Sequence, residues 1–151
     1  MSWQSLLDSG RLKRHTTSAQ EISDLRDVVD RDLTDAQVEI ISADRRFATA
    51  YNAVLQLAKI VLACSGYRAT GPAHHHTTFE GLELAMGPGI SKLVWYFDTC
   101  RRKRNQVDYD FALVASDAEV AELLAHAGEF RELVETWIGR HHRQFARRPR
   151  E

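Results

Sequence analysis

The chain has 151 residues, of which 44% are apolar and 27% charged, with a formal net charge of −1. That length sustains one domain with a core of its own, and the composition excludes an intrinsically disordered chain. Charge near neutrality excludes a surface that binds polyanions as a whole, so any nucleic-acid contact has to come from a local patch.

The expected elements are almost all helical. A short first helix is expected over about 3–14. Ser18 caps a second, with Glu21 three residues on completing a capping box. That helix carries Ile22, Leu25, Val28 and Val29 on one face and continues through Leu33, Val38 and Ile40, with a break near Thr34. Its outer face is acidic (Asp24, Asp27, Asp30, Asp32, Asp35).

Ser42 or Asp44 caps a third helix running to about Ser65. Phe47, Tyr51, Val54, Ala58 and Val61 fall three or four residues apart on it and mark a buried face. Leu55, Leu57, Ile60 and Leu62 widen that stripe, so this helix is expected at the centre, with Gly66 terminating it. A loop follows over 67–76. Thr77 and Glu80 then form a capping box for a short helix ending near Met86, and Gly87, Pro88 and Gly89 break the chain.

Ser91 caps the next helix, which holds Val94, Phe97 and a basic tract. Ser116 and Glu119 cap a long last helix through Val120, Leu123, Leu124, Ala127, Leu133, Val134, Trp137 and Ile138. Strand-like alternation is absent. The expected fold is all-α: one domain over 1–151, an up-down antiparallel bundle of about five helices, with a basic tail from about 140. Its core should be Leu25, Phe47, Tyr51, Val54, Ala58, Val61, Leu84, Val94, Phe97, Leu124 and Val134.

Cys64 and Cys100 sit in apolar-periodic segments and read as buried small hydrophobes of a reducing compartment. The residues from Met1 to Asp8 lack the basic and apolar regions of a signal peptide, and no apolar run approaches the ~20 residues that span a bilayer. A cytoplasmic protein without membrane contact is expected.

The most informative segment is Arg101, Arg102, Lys103, Arg104, Asn105, Gln106, Val107, Asp108, Tyr109 and Asp110. Arg104 lies two helical turns after Phe97, on the inner edge of the apolar stripe, where an unpaired charge is costly. Asp108, four residues on, can pair with it for about 0.3–0.5 kcal/mol when exposed. One reading of the tract is therefore a helix-terminal ion-pair ladder, favoured also by the helix dipole. The other uses the same groups on a ligand. The Arg104 fork holds a phosphate, Arg101, Arg102 and Lys103 neutralise its neighbours, Asn105 donates to a phosphoryl or ribose oxygen, and Tyr109 offers a hydroxyl and a stacking face. A two-fold interface along this helix would double the tract in one cleft.

At these residues the chain resembles the HEPN superfamily of small all-helical domains. Residues 46–53, with Ala50 and Tyr51, resemble the Ala-Tyr motif of the family's central helix. Gly66, Tyr67 and Arg68, followed by His74, His75, His76, Thr77 and Thr78, resemble its Gly-Tyr turn and histidine-bearing loop. Residues 104–110 resemble its signature, an Arg followed by a polar residue, a spacer and a His. Arg104 takes the signature Arg and Asn105 the polar neighbour. Tyr109 stands where the His is expected, and Asp108-Tyr109-Asp110 resembles a subgroup whose Arg is followed by an Ala-Asp-Tyr-like end.

The resemblance implies a homodimer and a metal-independent ribonuclease, often a toxin encoded beside a nucleotidyltransferase-type antitoxin partner. In that role Arg104, Asn105 and Tyr109 are catalytic, and Arg101, Arg102, Lys103 and Asp108 bind phosphate or RNA. The missing imidazole weighs against catalysis, because a phenol near pKa ~10 is a poor general base. The alternatives are a non-catalytic HEPN-like module that binds a nucleotide, an RNA or a protein, and a purely structural helical protein. No cofactor is expected.

His74, His75 and His76 are not expected to form a metal site, since consecutive residues on one loop rarely close a coordination shell. His76 or Thr77 should cap the next helix, with the others solvated. Arg140, His141, His142, Arg143, Arg147, Arg148 and Arg150 read first as a frayed solvated helix end and second as added phosphate contacts. Trp137 reads as core or dimer packing.

Overall fold

The computed structural model describes residues 1–108 and 114–147. Among them are six α-helices, α1 (Trp3–Asp8), α2 (Ala19–Asp35), α3 (Ala43–Cys64), α4 (His74–Met86), α5 (Ser91–Asp108) and α6 (Asp117–His141). Short 3-10 turns cover Pro88–Ile90 and Arg143–Phe145, and two strands, β1 (Leu12–Arg14) and β2 (Tyr67–Ala69), form an antiparallel ribbon. The all-helical bundle expected from the sequence is the fold observed.

α3 is the axis. The other long helices, α2, α4, α5 and α6, all pack on it. Ala50, Ala53 and Ala58 are fully buried and let neighbouring backbones approach, while Phe47, Tyr51, Val54, Leu57, Ile60 and Val61 fill the space between them. Ser42 caps its start by accepting from the Arg45 amide at 3.3 Å. The carboxylate of Asp44 accepts from the Ala115 amide at 2.7 Å, fastening the approach to α6 onto the start of α3. α3 has 22 residues and contains an 18-residue stretch with a mean hydropathy of 1.4, so by length and composition it is apolar enough to cross a membrane, contrary to the reading of the sequence. Here 72% of that stretch is buried against protein, which marks it as a core helix.

Several boundaries differ from expectation, each for a local reason. The first helix stops at Asp8, because the chain turns at Gly10 (φ 77) and the Arg11 amide returns to the Leu6 carbonyl at 3.0 Å. That frees residues 12–14 to pair with 67–69, in the register Leu12 with Ala69, Lys13 with Arg68 and Arg14 with Tyr67. Leu6, Leu12 and Leu62 form a small second core under the ribbon, and Trp3 stacks on Tyr67 at 4.5 Å.

α2 stops at Asp35 because side chains take its last carbonyls. Gln37 donates to Leu33 O at 3.0 Å and Arg46 to Ala36 O at 2.8 Å, leaving Val38 and Ile40 in an exposed turn. Asp32 is not on the acidic outer face: it is buried and accepts from Asn52 Nδ2 at 2.6 Å. Leu25, Leu84 and Leu124 pack at the margins of the two cores, not in their interior.

The expected Thr77–Glu80 capping box does not form. α4 begins four residues earlier, at His74, after Ala73, which makes no side-chain cap. Ser116 with Glu119 forms the full box on α6, as expected, whereas on α2 only the Ser18 half forms, because the Glu21 carboxylate turns to His15 and Thr17. Ser91 opens α5 directly after the Pro88–Ile90 turn, so it lies inside the helical run and is not an extended cap. The basic tail is not frayed over its described part. Phe145 O accepts from Arg26 at 2.8 Å, and Arg147 lies 3.6 Å from Asp30, folding the segment onto α2. Trp137 is partly buried against the main core.

α4 can lie close to α3 only because residue 81 is glycine. A Cβ there would meet Leu62 Cδ1 at 2.8 Å, and Leu62 is itself buried. Gly81→Val should therefore lower the unfolding free energy by about 1–3 kcal/mol in urea titration, although valine is the better helix former. An unchanged or higher value would show that the two helices are not in contact at that point.

Candidate functional site

Three helices converge on one side chain. Tyr51 of α3 is 1% exposed, and its ring meets Phe79 of α4 edge-on at 6.1 Å. Its hydroxyl lies 3.1 Å from Nδ1 of His75 in the first turn of α4. The guanidinium of Arg104, in α5, stands over its ring at 5.9 Å from the centroid, within cation–π range. The histidine run and the basic tract, 28 residues apart from His76 to Arg104 in sequence, thus meet around one phenol.

The protonation states follow from the surroundings. Burial drives the Tyr51 phenol far above its usual range, although Arg104 and Arg101 pull the other way, so the hydroxyl keeps its proton. A buried hydroxyl needs an acceptor, and the one at hand is His75 Nδ1. Burial, followed by the charges of His74, Arg104, Lys59 and Arg101, pushes the His75 imidazole down to about 4. At neutral pH it is uncharged. With the phenol donating to Nδ1, its own proton resides on Nε2. Tyr51 thus has a guanidinium over its ring and a neutral imidazole at its hydroxyl.

A second layer surrounds this pair. His76 lies 2.6 Å from Glu80 Oε1 through Nε2 and 3.2 Å from Asp98 Oδ1 through Nδ1, tying α4 to α5. Arg101 Nε donates to Asp98 at 2.9 Å, and Arg102 reaches the same carboxylate at 3.4 Å. Burial would raise the Asp98 carboxyl, but hydrogen bonds from Arg101 and His76 outweigh it and hold the group below the usual carboxylate range. Arg11, just before β1, donates to Glu80 at 2.6 Å and to Thr77 Oγ1 at 3.1 Å. Lys103 pairs with Glu119 and donates to Val114 O at 3.3 Å.

The tract is thus divided. Arg101, Arg102 and Lys103, read from the sequence as phosphate-neutralising, each engage an acid of the same chain, the first two Asp98 within α5 and the third Glu119 of α6. Arg104 stands over the Tyr51 ring. Asn105 is half-buried on the next position of α5. The backbone of Asp108 closes that helix, while its side chain and Tyr109 lie outside the described residues, as do the expected pairings of Arg104 with Asp108 and of Asn105 with Tyr109 and the Asp-Tyr-Asp end.

His75 and His76 were expected to be solvated or capping. Instead both make specific side-chain contacts across helices. His75 could have been found from spacing: it lies four residues before Phe79 and seven before Leu82, on the stripe that α4 buries. Arg11 gave no such signal. Trp95 is a further residue the sequence did not single out. It is 73% exposed and lines a cavity of about 440 Å3 between α4 and α5, together with His76, Phe79, Glu80 and Asp98.

Among the described residues, no group of three His, Cys, Asp or Glu side chains is disposed to hold a metal ion. Cys64 and Cys100 are free and buried, and burial pushes their thiols up to about 12 and about 11, which leaves them unreactive at neutral pH. Comparison of the chain with models of known protein families, with curated proteins and with solved structures returns no match.

Because the His75 imidazole is held near 4 in the folded chain, against ~6.5 when unfolded, the unfolded state binds a proton that the folded state refuses between those values. Stability should fall as pH drops from about 6.5 towards 4. His75→Gln, whose amide oxygen can still accept from Tyr51, should flatten that slope by close to one proton in denaturation curves taken across the window. Identical slopes in both proteins would mean that His75 titrates as if solvated.

Proposed function

We propose that the chain is a non-catalytic HEPN-like module that binds RNA by its phosphates, with Arg104 and the Nε2–H of His75 as the pair that holds one phosphoryl group. The observation that supports this reading is the placement of both groups around Tyr51. A phosphate accepts from a guanidinium and from a neutral imidazole N–H without any proton moving. Burial, with the charge of His74 and then of Arg104 behind it, keeps that imidazole neutral and so a donor through Nε2. Trp95 supplies an exposed ring for base stacking, and Arg102, seven residues later on the same exposed face of α5, reaches solvent.

The same arrangement disfavours the ribonuclease alternative. In-line cleavage by the RNA's own 2′-hydroxyl needs a group to accept that proton. Nδ1 of His75 is occupied by the Tyr51 hydroxyl and Nε2 carries a proton, so the imidazole that stands near the signature Arg is a donor. The homodimer implied by the HEPN resemblance would set two such pairs in one cleft. A cytoplasmic location, in reach of RNA, completes the reading. The nucleotidyltransferase-type partner belongs to the toxin alternative.

Filter binding of a single-stranded RNA at low salt, with EDTA present, tests the proposal. Arg104→Ala and His75→Phe should each weaken binding about tenfold, the order expected when one phosphate hydrogen bond to a charged or polar donor is lost. Affinity should also fall with rising salt. No RNA fragments should appear over hours. Cleavage that Arg104→Ala abolishes would move the assignment to the nuclease, and binding unaffected by either substitution would remove the site.

A further inference from the structure

Two helical turns beyond Tyr51, on the same central helix, Lys59 borders a cavity of about 400 Å3 closed by α2 on one side and by β2 and α4 on the other. Eight residues of helix place it about 12 Å from the Tyr51 position along the axis, so this cavity is separate from the Arg104 pair. Its walls divide by chemistry. Leu25, Leu62 and Ala63 form an apolar side, and Tyr67 adds a ring already stacked on Trp3. Two of its polar groups already have partners, Glu21 with His15 on the same wall. Glu21 lies 2.7 Å from His15 and accepts from Thr17 at 2.9 Å, while Thr78 donates to His74 O at 2.7 Å.

Lys59 differs from these. It is half-buried, and among the described residues no carboxylate forms an ion pair with it. Burial alone pushes its ammonium below the usual lysine range, and its charge is felt at His75, which cannot neutralise it. A desolvated cation without a counter-charge is costly to keep. Arg68, also on the cavity wall, stands directly opposite Lys13 in the ribbon, and like charges facing across a ladder weaken it. Both features would be relieved by one anion.

We propose that this cavity binds a small molecule carrying a phosphate or carboxylate on a flat apolar body. Lys59 and Arg68 hold the oxyanion, and Leu25, Leu62 and Ala63 receive the body. The volume falls in the range of roughly 300–1,000 Å3 typical of small-molecule sites. This assignment is independent of the RNA reading and stands or falls separately from it.

Pyridoxal 5′-phosphate is a suitable probe, because it joins a phosphate and a flat ring to an aldehyde. A lysine amine condenses with the aldehyde, releasing water, and borohydride then adds hydride to the imine to fix a secondary amine. The chain has four lysines, Lys13, Lys59, Lys92 and Lys103, so mass spectrometry of peptides cut from the labelled, reduced protein resolves the site. Lys59 should be labelled severalfold more than Lys13 and Lys92, in a saturable manner. Inorganic phosphate or benzoate should protect it, and the stronger protector identifies the preferred oxyanion. Lys59→Gln should remove the saturable label while the helical circular dichroism is unchanged. Uniform labelling of the lysines, or labelling of Lys59 that neither anion reduces, would overturn the proposal, and both are read on the unmutated protein.

Discussion

The hydroxyl of Tyr51 is the constraint around which the candidate site is organised. α3 carries the ring into the interior, where its apolar surface is stabilised by burial against Phe79. That placement leaves a polar atom that must be bonded or else cost about 1–3 kcal/mol. The acceptor comes from α4, which begins at His74 and so brings His75 over the phenol. Arg104 of α5 then covers the ring. One buried phenol thereby fixes the mutual position of an imidazole and a guanidinium from two different helices.

The second layer holds those helices to one another. His76 bridges Glu80 and Asp98, and Asp98 in turn gathers Arg101 and Arg102. Exposed pairs of this kind contribute little each, but here they share a carboxylate and orient the α5 backbone from which Arg104 projects. Arg101, Arg102 and Lys103 each pair with an acid, and Arg104, one position further along α5, stands over the Tyr51 ring.

The helical bundle was legible in the sequence because it rests on long-period patterning. The step of three and four from Phe47 to Val61 identified α3 as the central helix, and the Ser116–Glu119 box marked the start of α6. The ribbon was not legible, since three-residue strands are too short for alternation to register. The early start of α4 was hidden because no side chain caps it. Arg104 could be singled out from its place on the edge of the Phe97 stripe. Its neighbours could not: the partnership of Tyr51 with His75 joins residues 24 apart through helix packing, and Arg11 reaches Glu80 across 69 residues. Contacts of that range depend on how helices dock, which a single sequence does not display.

The tautomer of one ring tests the arrangement most directly. In 15N NMR of histidine-labelled protein at neutral pH, His75 should show a protonated Nε2 and a bare Nδ1 shifted by its bond to the Tyr51 hydroxyl, and Tyr51→Phe should abolish that shift. A His75 ring protonated at Nδ1, or carrying both protons at neutral pH, would contradict the phenol-to-imidazole bond and with it the donor pair on which the proposed site is built.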